Sequence, residues 1–227
     1  IQAIDDVYSA FDFPFVPGHE VVGHISEVGS AVPRSRLGER VGVGWQGRAC
    51  GHCEWCRAGE VQLCMDVTSN GTWTPHGGFS SSIAVSEGFA YTLPEGLTSE
   101  DAAVLMCAGL TVYTALARHY NPSANRIGIL GIGGLGHLAL QFAKAMGYEV
   151  TAISSSPKKL AEALVWGASQ FVVSSDKQAL GTFENYFDLL LITSHGPINW
   201  ARLFETLKRR GKVILIAFPD IDFSPVD

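Results

Sequence analysis

The sequence predicts an α/β protein in which a small, loop-rich β domain precedes a doubly wound, parallel sheet. Three observations predict it. Strand and helix patterns alternate from Arg126 onward. A Gly131-Ile132-Gly133-Gly134-Leu135-Gly136 run stands between a strand and a helix. Four cysteines fall within fifteen positions of a first half rich in glycine and valine.

In the first half, Val21 to Ile25 and Arg40 to Gly44 read as strands separated by turn residues, and Phe79 to Val85 reads as another after Gly77-Gly78. The character changes near Pro94 to Glu100, and Ser99 to Tyr120 has helical patterning. Strands are then expected at Ile127–Leu130, Glu149–Ser154, Phe171–Val173, Leu189–Ile192 and Lys212–Ala217. Helices are expected at Leu135–Met146, Pro157–Trp166 and Ile198–Lys208. Such alternation means a parallel sheet covered on both faces. A doubly wound dinucleotide fold usually has a sixth strand. The Pro-rich coil ending at Asp227 leaves no room for one.

The 227 residues suffice for one large or two modest domains. A net charge of −6 argues against a nucleic-acid surface. The most apolar stretch, Ile127 to Gly147, is interrupted by His137, Gln141 and Lys144, so it reads as a buried strand and helix and not as a membrane span. The opening Ile1-Gln2-Ala3-Ile4-Asp5-Asp6 has no basic region of a secretory signal. Together with five cysteines, an odd number, this points to a reducing, cytoplasmic setting and not to a disulfide framework.

Cys50, Cys53 and Cys56 stand two residues apart, and Cys64 follows after seven more. Two-residue gaps let successive thiolates turn inward around one ion, and the longer gap brings back a fourth. Four sulfurs leave no open position, so the expectation is a closed, structural zinc site. His52 is read as a spacer.

Within the glycine run, Gly131 makes the tight turn. Gly133 lets a pyrophosphate approach the backbone N–H groups at the helix N-terminus, and Gly136 permits close packing of helix on strand. The cofactor loop thus includes Gly131, Ile132, Gly133, Gly134, Leu135 and Gly136. Where an NAD site carries an acid after the second strand, this sequence has Ser154-Ser155-Ser156-Pro157-Lys158-Lys159. Hydroxyls and two lysines without a carboxylate suit the additional phosphate of NADP(H).

His19-Glu20 and Cys107 are each unremarkable alone: a histidine beside a strand, a cysteine on an apolar helix. Their place in the whole pattern changes this. Val16-Pro17-Gly18-His19-Glu20, the cysteine lobe, His76-Gly77-Gly78-Phe79, Cys107 to Tyr113, Gly131 to His137 and Ser154 to Lys159 together resemble the zinc-containing medium-chain alcohol dehydrogenases. The resemblance is to the cinnamyl alcohol dehydrogenase branch and its bacterial broad-range NADP aldehyde reductase relatives, and it extends over the whole chain.

The resemblance implies a GroES-like β-barrel domain over 1–112 and a Rossmann domain over 113–227, both incomplete, with the active site between them. It implies His19 and Cys107 as two of three catalytic zinc ligands and Glu20 as the neighbouring carboxylate. Thr111 and Thr193 would line the cofactor cleft. It further implies hydride transfer between NADP(H) and a primary alcohol or aldehyde, and a homodimer. The family's first zinc ligand, a cysteine in a short Cys-His-Ser/Thr-Asp motif, is expected just before Ile1, so the sequence is read as a fragment. A zinc-free reductase of the same superfamily is disfavoured by the cysteine lobe with His19 and Cys107. A zinc-stabilised binding module is disfavoured by the acidic charge and the glycine loop. For the substrate, Trp45, Trp73 and Phe79 are candidates for an apolar wall, weighed against simple packing. His76 reads as a turn residue.

Overall fold

Val21-Val22-Gly23-His24 and Arg40-Val41-Gly42-Val43 are short, valine-rich segments, and they pair antiparallel with Val21 opposite Val43. The computed structural model describes residues 13–69 and 76–217. Trp73, the Ile1–Asp6 opening and the coil before Asp227 lie outside the described residues. The chain divides into two units, Ile1–Cys107 and Ala108–Asp227.

The first unit contains β1 (Val21–His24), β2 (Arg40–Val43), β3 (Gln46–Arg48), α1 (Glu54–Arg57), β4 (Thr68–Ser69), β5 (Tyr91–Thr92) and α2 (Ser99–Val104). One sheet runs β1-β2-β5, and β3 pairs with β4. Thr98 caps α2 by accepting from the Asp101 amide at 3.1 Å, and Glu100 and Asp101 complement the first turn. Arg40 donates to the carbonyls of Pro94 and Leu97, both at 2.7 Å, which ties β2 to the loop entering α2.

Phe79–Val85 is not a strand. The Ser80 hydroxyl donates to the carbonyls of Gly77 and Ser82, at 3.0 and 2.8 Å, giving the backbone local partners in place of a ladder.

The second unit contains α3 (Leu110–His119), β6 (Arg126–Leu130), α4 (Gly134–Ala145), β7 (Glu149–Ser154), α5 (Leu160–Val165), β8 (Gln170–Val173), α6 (Lys177–Gly181), β9 (Phe187–Ile192), α7 (Trp200–Glu205) and β10 (Leu207–Leu215). The sheet order is β10-β9-β6-β7-β8, and every pair in it is parallel. Side chains alternate between two cores. Ile127, Ile129, Val150, Ala152, Leu189 and Leu191 pack on one face with α3 and α4. Leu130, Ile153, Val172, Phe187, Leu190 and Ile192 pack on the other with Leu180 and Leu203. Burial on both faces explains why these strands read as continuous apolar runs.

Two helix expectations change. The helix expected over Ile198–Lys208 spans only Trp200–Glu205. Asn199 caps its start by accepting from the Arg202 amide, and the Thr206 hydroxyl closes its end on the Leu203 carbonyl. Helix α6 was not anticipated; Asp176 caps it through the amides of Gln178 and Ala179. By length and composition, Ser99–His119 is the one helical run among the described residues long and apolar enough to cross a membrane, a test that core helices of soluble proteins also pass.

Candidate functional site

Three constellations emerge, two in the first unit and one in the second.

The sulfurs of Cys50, Cys53, Cys56 and Cys64 all lie within 4.8 Å of one another. Among the described residues this is the only group of three or more histidine, cysteine or carboxylate side chains able to share a metal. Two thiolates on one tetrahedral zinc stand about 3.8 Å apart, given Zn–S bonds of about 2.3 Å; Cys50 and Cys56 are separated by 3.9 Å. Backbone amides point at the sulfurs: Cys53 donates to Cys50 at 3.3 Å, Cys56 to Cys53 at 3.4 Å and Cys50 to Cys64 at 3.4 Å. Such donors favour thiolates. The amides of His52 and Cys53 hold the Cys50 thiol down at about 6. Desolvation pushes the Cys56 thiol up to about 12. A cation held among the four sulfurs would favour the thiolate form at each of them. The site is fully made of protein ligands and fits zinc. His52 points its Nδ1 at the Cys50 carbonyl at 2.9 Å and is exposed, outside the sulfur set.

The second constellation joins His19 and Cys107. Nε2 of His19 lies 3.2 Å from Sγ of Cys107, close to the roughly 3.5 Å expected of an imidazole and a thiolate sharing a tetrahedral zinc. Both are partly buried. Burial, and secondarily the negative charge of Glu20, push the Cys107 thiol up. Glu20 is exposed and does not complete a three-ligand group with the pair.

The sequence positions each partner by glycine. Residues Pro17 and Gly18 accept from the amides of Phe79 and Gly78, at 2.9 and 2.8 Å. A Cβ on Gly77 would stand 2.4 Å from the Val16 carbonyl oxygen, so only glycine lets this loop lie against the Val16–Gly18 segment that leads into His19. Cys107 is held from the other side. A Cβ on Gly42 would meet the Met106 sulfur at 2.3 Å, and one on Gly44 the Met106 carbonyl oxygen at 2.7 Å. Met106 thus seats against the side-chain-free positions Gly42 and Gly44, and the π turn Leu105–Gly109 carries Cys107 next to it.

The third constellation is a cleft of about 600 Å³ at the C-terminal ends of β6, β7, β8 and β9. Because β7 and β9 flank β6 on opposite sides, this is the topological switch point where open α/β sheets bind ligands. Gly131, Ile132 and Gly133 line it, with Ser154, Ser155, Ser156, Lys159 and Thr193. The glycines divide into two kinds. Gly131 has φ +96°, and a Cβ on Gly136 would stand 1.9 Å from the Gly131 carbonyl oxygen. Gly133 and Gly134 have nothing within 4 Å of where a Cβ would stand, which leaves their backbone open to a ligand at the α4 N-terminus. Ser154 is buried and accepts from the Ser156 amide at 3.2 Å. Lys159 pairs with Glu162 at 2.7 Å. Residues Pro157–Lys159 form a 3-10 turn, and α5 proper starts only at Leu160.

Comparison with known proteins decides the family. Residues 1–95 match the alcohol dehydrogenase GroES-like domain, and residues 134–225 match the zinc-binding dehydrogenase domain. The chain belongs to the zinc-containing alcohol dehydrogenase family.

Among curated relatives, this chain is 38% identical over 229 residues to NADP-dependent alcohol dehydrogenase C 1 of Mycolicibacterium smegmatis, covering 97% of the chain and 65% of that relative. It is 44% identical over 216 residues to a probable cinnamyl alcohol dehydrogenase of Eucalyptus globulus, covering 89% and 59%. Among solved structures it resembles a cinnamyl alcohol dehydrogenase of Sorghum bicolor, with TM-score 0.88, 37% identity and coverage of 97% and 65%. It also resembles the cinnamyl alcohol dehydrogenase of Helicobacter pylori complexed with NADP(H), with TM-score 0.82, 29% identity and coverage of 96% and 65%. The chain therefore spans about 65% of the length of the first curated relatives it matches. Its fold is the GroES-like plus Rossmann-type pair of this family.

Thr111, Gly134, Leu135, Gly136 and Lys158 are not among the residues lining the cleft. Thr111 lies in the first turn of α3. Trp45 is half-buried, and Phe79 is 80% exposed. Sequence reasoning missed Ser174, Ser175, Ser194 and Asn199, which also line the cleft. The signal was available: residues just past β8 and β9 sit at the carboxyl edge where such sheets bind ligands.

Proposed function

We propose that the whole protein transfers hydride between NADP(H) and a primary alcohol or aldehyde at a zinc site. The observation that carries this reading is the meeting of His19 and Cys107, 88 positions apart in the chain, at a separation suited to one zinc. NADP-dependent and cinnamyl alcohol dehydrogenase relatives support the same assignment.

His19 and Cys107 would hold the catalytic zinc, with one further ligand from the whole protein, and Glu20 would be the adjacent carboxylate. When bound, zinc supplies Lewis acidity to a carbonyl oxygen and the dinucleotide supplies the hydride. The protein's share is to bind and orient. Cys50, Cys53, Cys56 and Cys64 hold a structural zinc that stiffens the lobe. The open backbone at Gly133 and Gly134 receives the pyrophosphate, and Ser154, Ser155, Ser156 and Lys159 take the 2′-phosphate. No carboxylate stands among those last residues to repel it, which supports NADP over NAD.

The preferred direction is aldehyde reduction. The reading includes a cytoplasmic protein, a homodimer when whole, and neither nucleic acid nor membrane as partner. The −6 charge and the unpaired cysteines support it.

The test is metal content per chain together with titration by NADPH and NADH. At least one tightly held zinc and clear preference for NADPH are expected. A chain that binds no zinc, or binds NADH as well as NADPH, would contradict the assignment.

A further inference from the structure

The cleft contains a side chain whose hydroxyl is already engaged by backbone carbonyls. Thr193 follows β9, is 9% exposed, and directs its hydroxyl at the carbonyls of Leu130, at 3.1 Å, and Gly131. Its own amide donates to the Leu130 carbonyl at 2.9 Å.

Gly131 is thereby held from both strands that flank β6. Its amide donates to the Ile153 carbonyl of β7 at 2.9 Å, and its carbonyl accepts from Thr193 beyond β9. Its α-carbon lies against Ser194: a Cβ there would be 2.8 Å from the Ser194 Cβ. Gly136 presses on the same carbonyl, and a Cβ on Gly136 would also come within 3.1 Å of the Thr193 hydroxyl oxygen. Hydroxyl, carbonyl and helix backbone meet at one point.

We propose that Thr193 is a positioning residue for dinucleotide binding. Its hydroxyl clamps the Gly131 carbonyl, fixing the turn whose next residues, Gly133 and Gly134, offer open backbone to the pyrophosphate. A carbonyl released from this bond would be a partly buried acceptor that has lost its hydroxyl partner. It would rotate in search of one, carrying the following amides away from the α4 axis and bringing a partial negative charge toward the anion. The clamp is set before ligand arrives, so the loop's ordering is not charged against binding. The proposal rests on reading the cleft as a dinucleotide site.

The test uses Thr193→Val, which keeps the shape and removes the hydroxyl, and Thr193→Ser, which restores it. Two readouts are taken: hydrogen exchange of the 131–136 amides without ligand, and NADPH affinity by fluorescence. Thr193→Val should speed exchange in the loop while leaving β7 and α3 as protected as in the parent. It should weaken NADPH about tenfold, the scale of one lost hydrogen bond. Thr193→Ser should stay within about twofold of the parent in both. Unchanged loop exchange in Thr193→Val, or equal damage in Thr193→Ser, overturns the clamp. Failure of the parent chain to bind NADPH overturns the dinucleotide reading and the role proposed for Thr193 in it. The exchange data still separate that failure from the absence of a clamp.

Discussion

His19 and Cys107 stand 3.2 Å apart, Nε2 to Sγ, although 88 positions separate them in the chain. If both are ligands of one zinc, removing either should abolish that site and spare the cysteine lobe. His19→Ala and Cys107→Ala should each weaken a second equivalent of metal at least about a hundredfold, with the first equivalent unchanged. Titration of the metal-stripped protein with cobalt(II), followed by visible absorption, separates the two. Loss of the first equivalent in either variant would tie the pair to the lobe instead.

Cys107 owes its placement to the glycines under Met106. Gly44→Ala puts a methyl 2.7 Å from the Met106 carbonyl oxygen, and that backbone must shift. The variant should lose metal at the His19–Cys107 site and cost about 1–3 kcal/mol of stability from overpacking. The lobe's metal should remain, and denaturant melts with metal analysis on the same samples would show it.

The two kinds of loop glycine should respond oppositely. Gly136→Ala drives a methyl into the Gly131 carbonyl and should destabilise the second unit by at least about 3 kcal/mol. Gly133→Ala meets open space with backbone at φ −110°, so stability should hold or rise by up to about 1 kcal/mol. NADPH affinity should nevertheless fall in Gly133→Ala, because the methyl occupies the approach to the α4 N-terminus. Equal melting points for the two variants would refute the division.

The adjacent lysines should also differ. Lys159 lines the cleft and Lys158 does not. Lys159→Ala should erode the preference for NADPH over NADH by roughly tenfold, while Lys158→Ala changes it little. Ratios of dissociation constants for the two dinucleotides measure this.

Tyr148 links α3 to the sheet through its hydroxyl, which donates to the Leu116 carbonyl at 3.3 Å. Burial, with Tyr120 nearby, pushes this phenol up to about 12. A phenol raised in the folded state stabilises the fold fully below its unfolded value near 10, and the contribution disappears as pH rises toward 12. Stability should therefore fall between pH 10 and 12, and Tyr148→Phe should flatten that fall. An equal decline in the variant would assign the effect elsewhere.

Much of the site was legible because its chemistry is local. The Cys50, Cys53 and Cys56 spacing closes on itself within one turn. The Gly131–Gly136 run depends on neighbours only a few residues away. Phe79–Val85 misled because the Ser80 hydroxyl gives backbone carbonyls local partners where a ladder had been expected. The Ile198–Lys208 helix was overextended because periodicity does not show where Asn199 and Thr206 terminate it.

By itself, then, the sequence determined the metal lobe, the glycine turn and the alternation of strand and helix, all consequences of short-range spacing and backbone preference. Tertiary structure alone decided which isolated residues meet. It brought His19 to Cys107, set Met106 against Gly42 and Gly44, and turned the Thr193 hydroxyl toward Gly131. Such contacts depend on how distant segments pack, and no local pattern in the chain encodes the few ångströms that separate them.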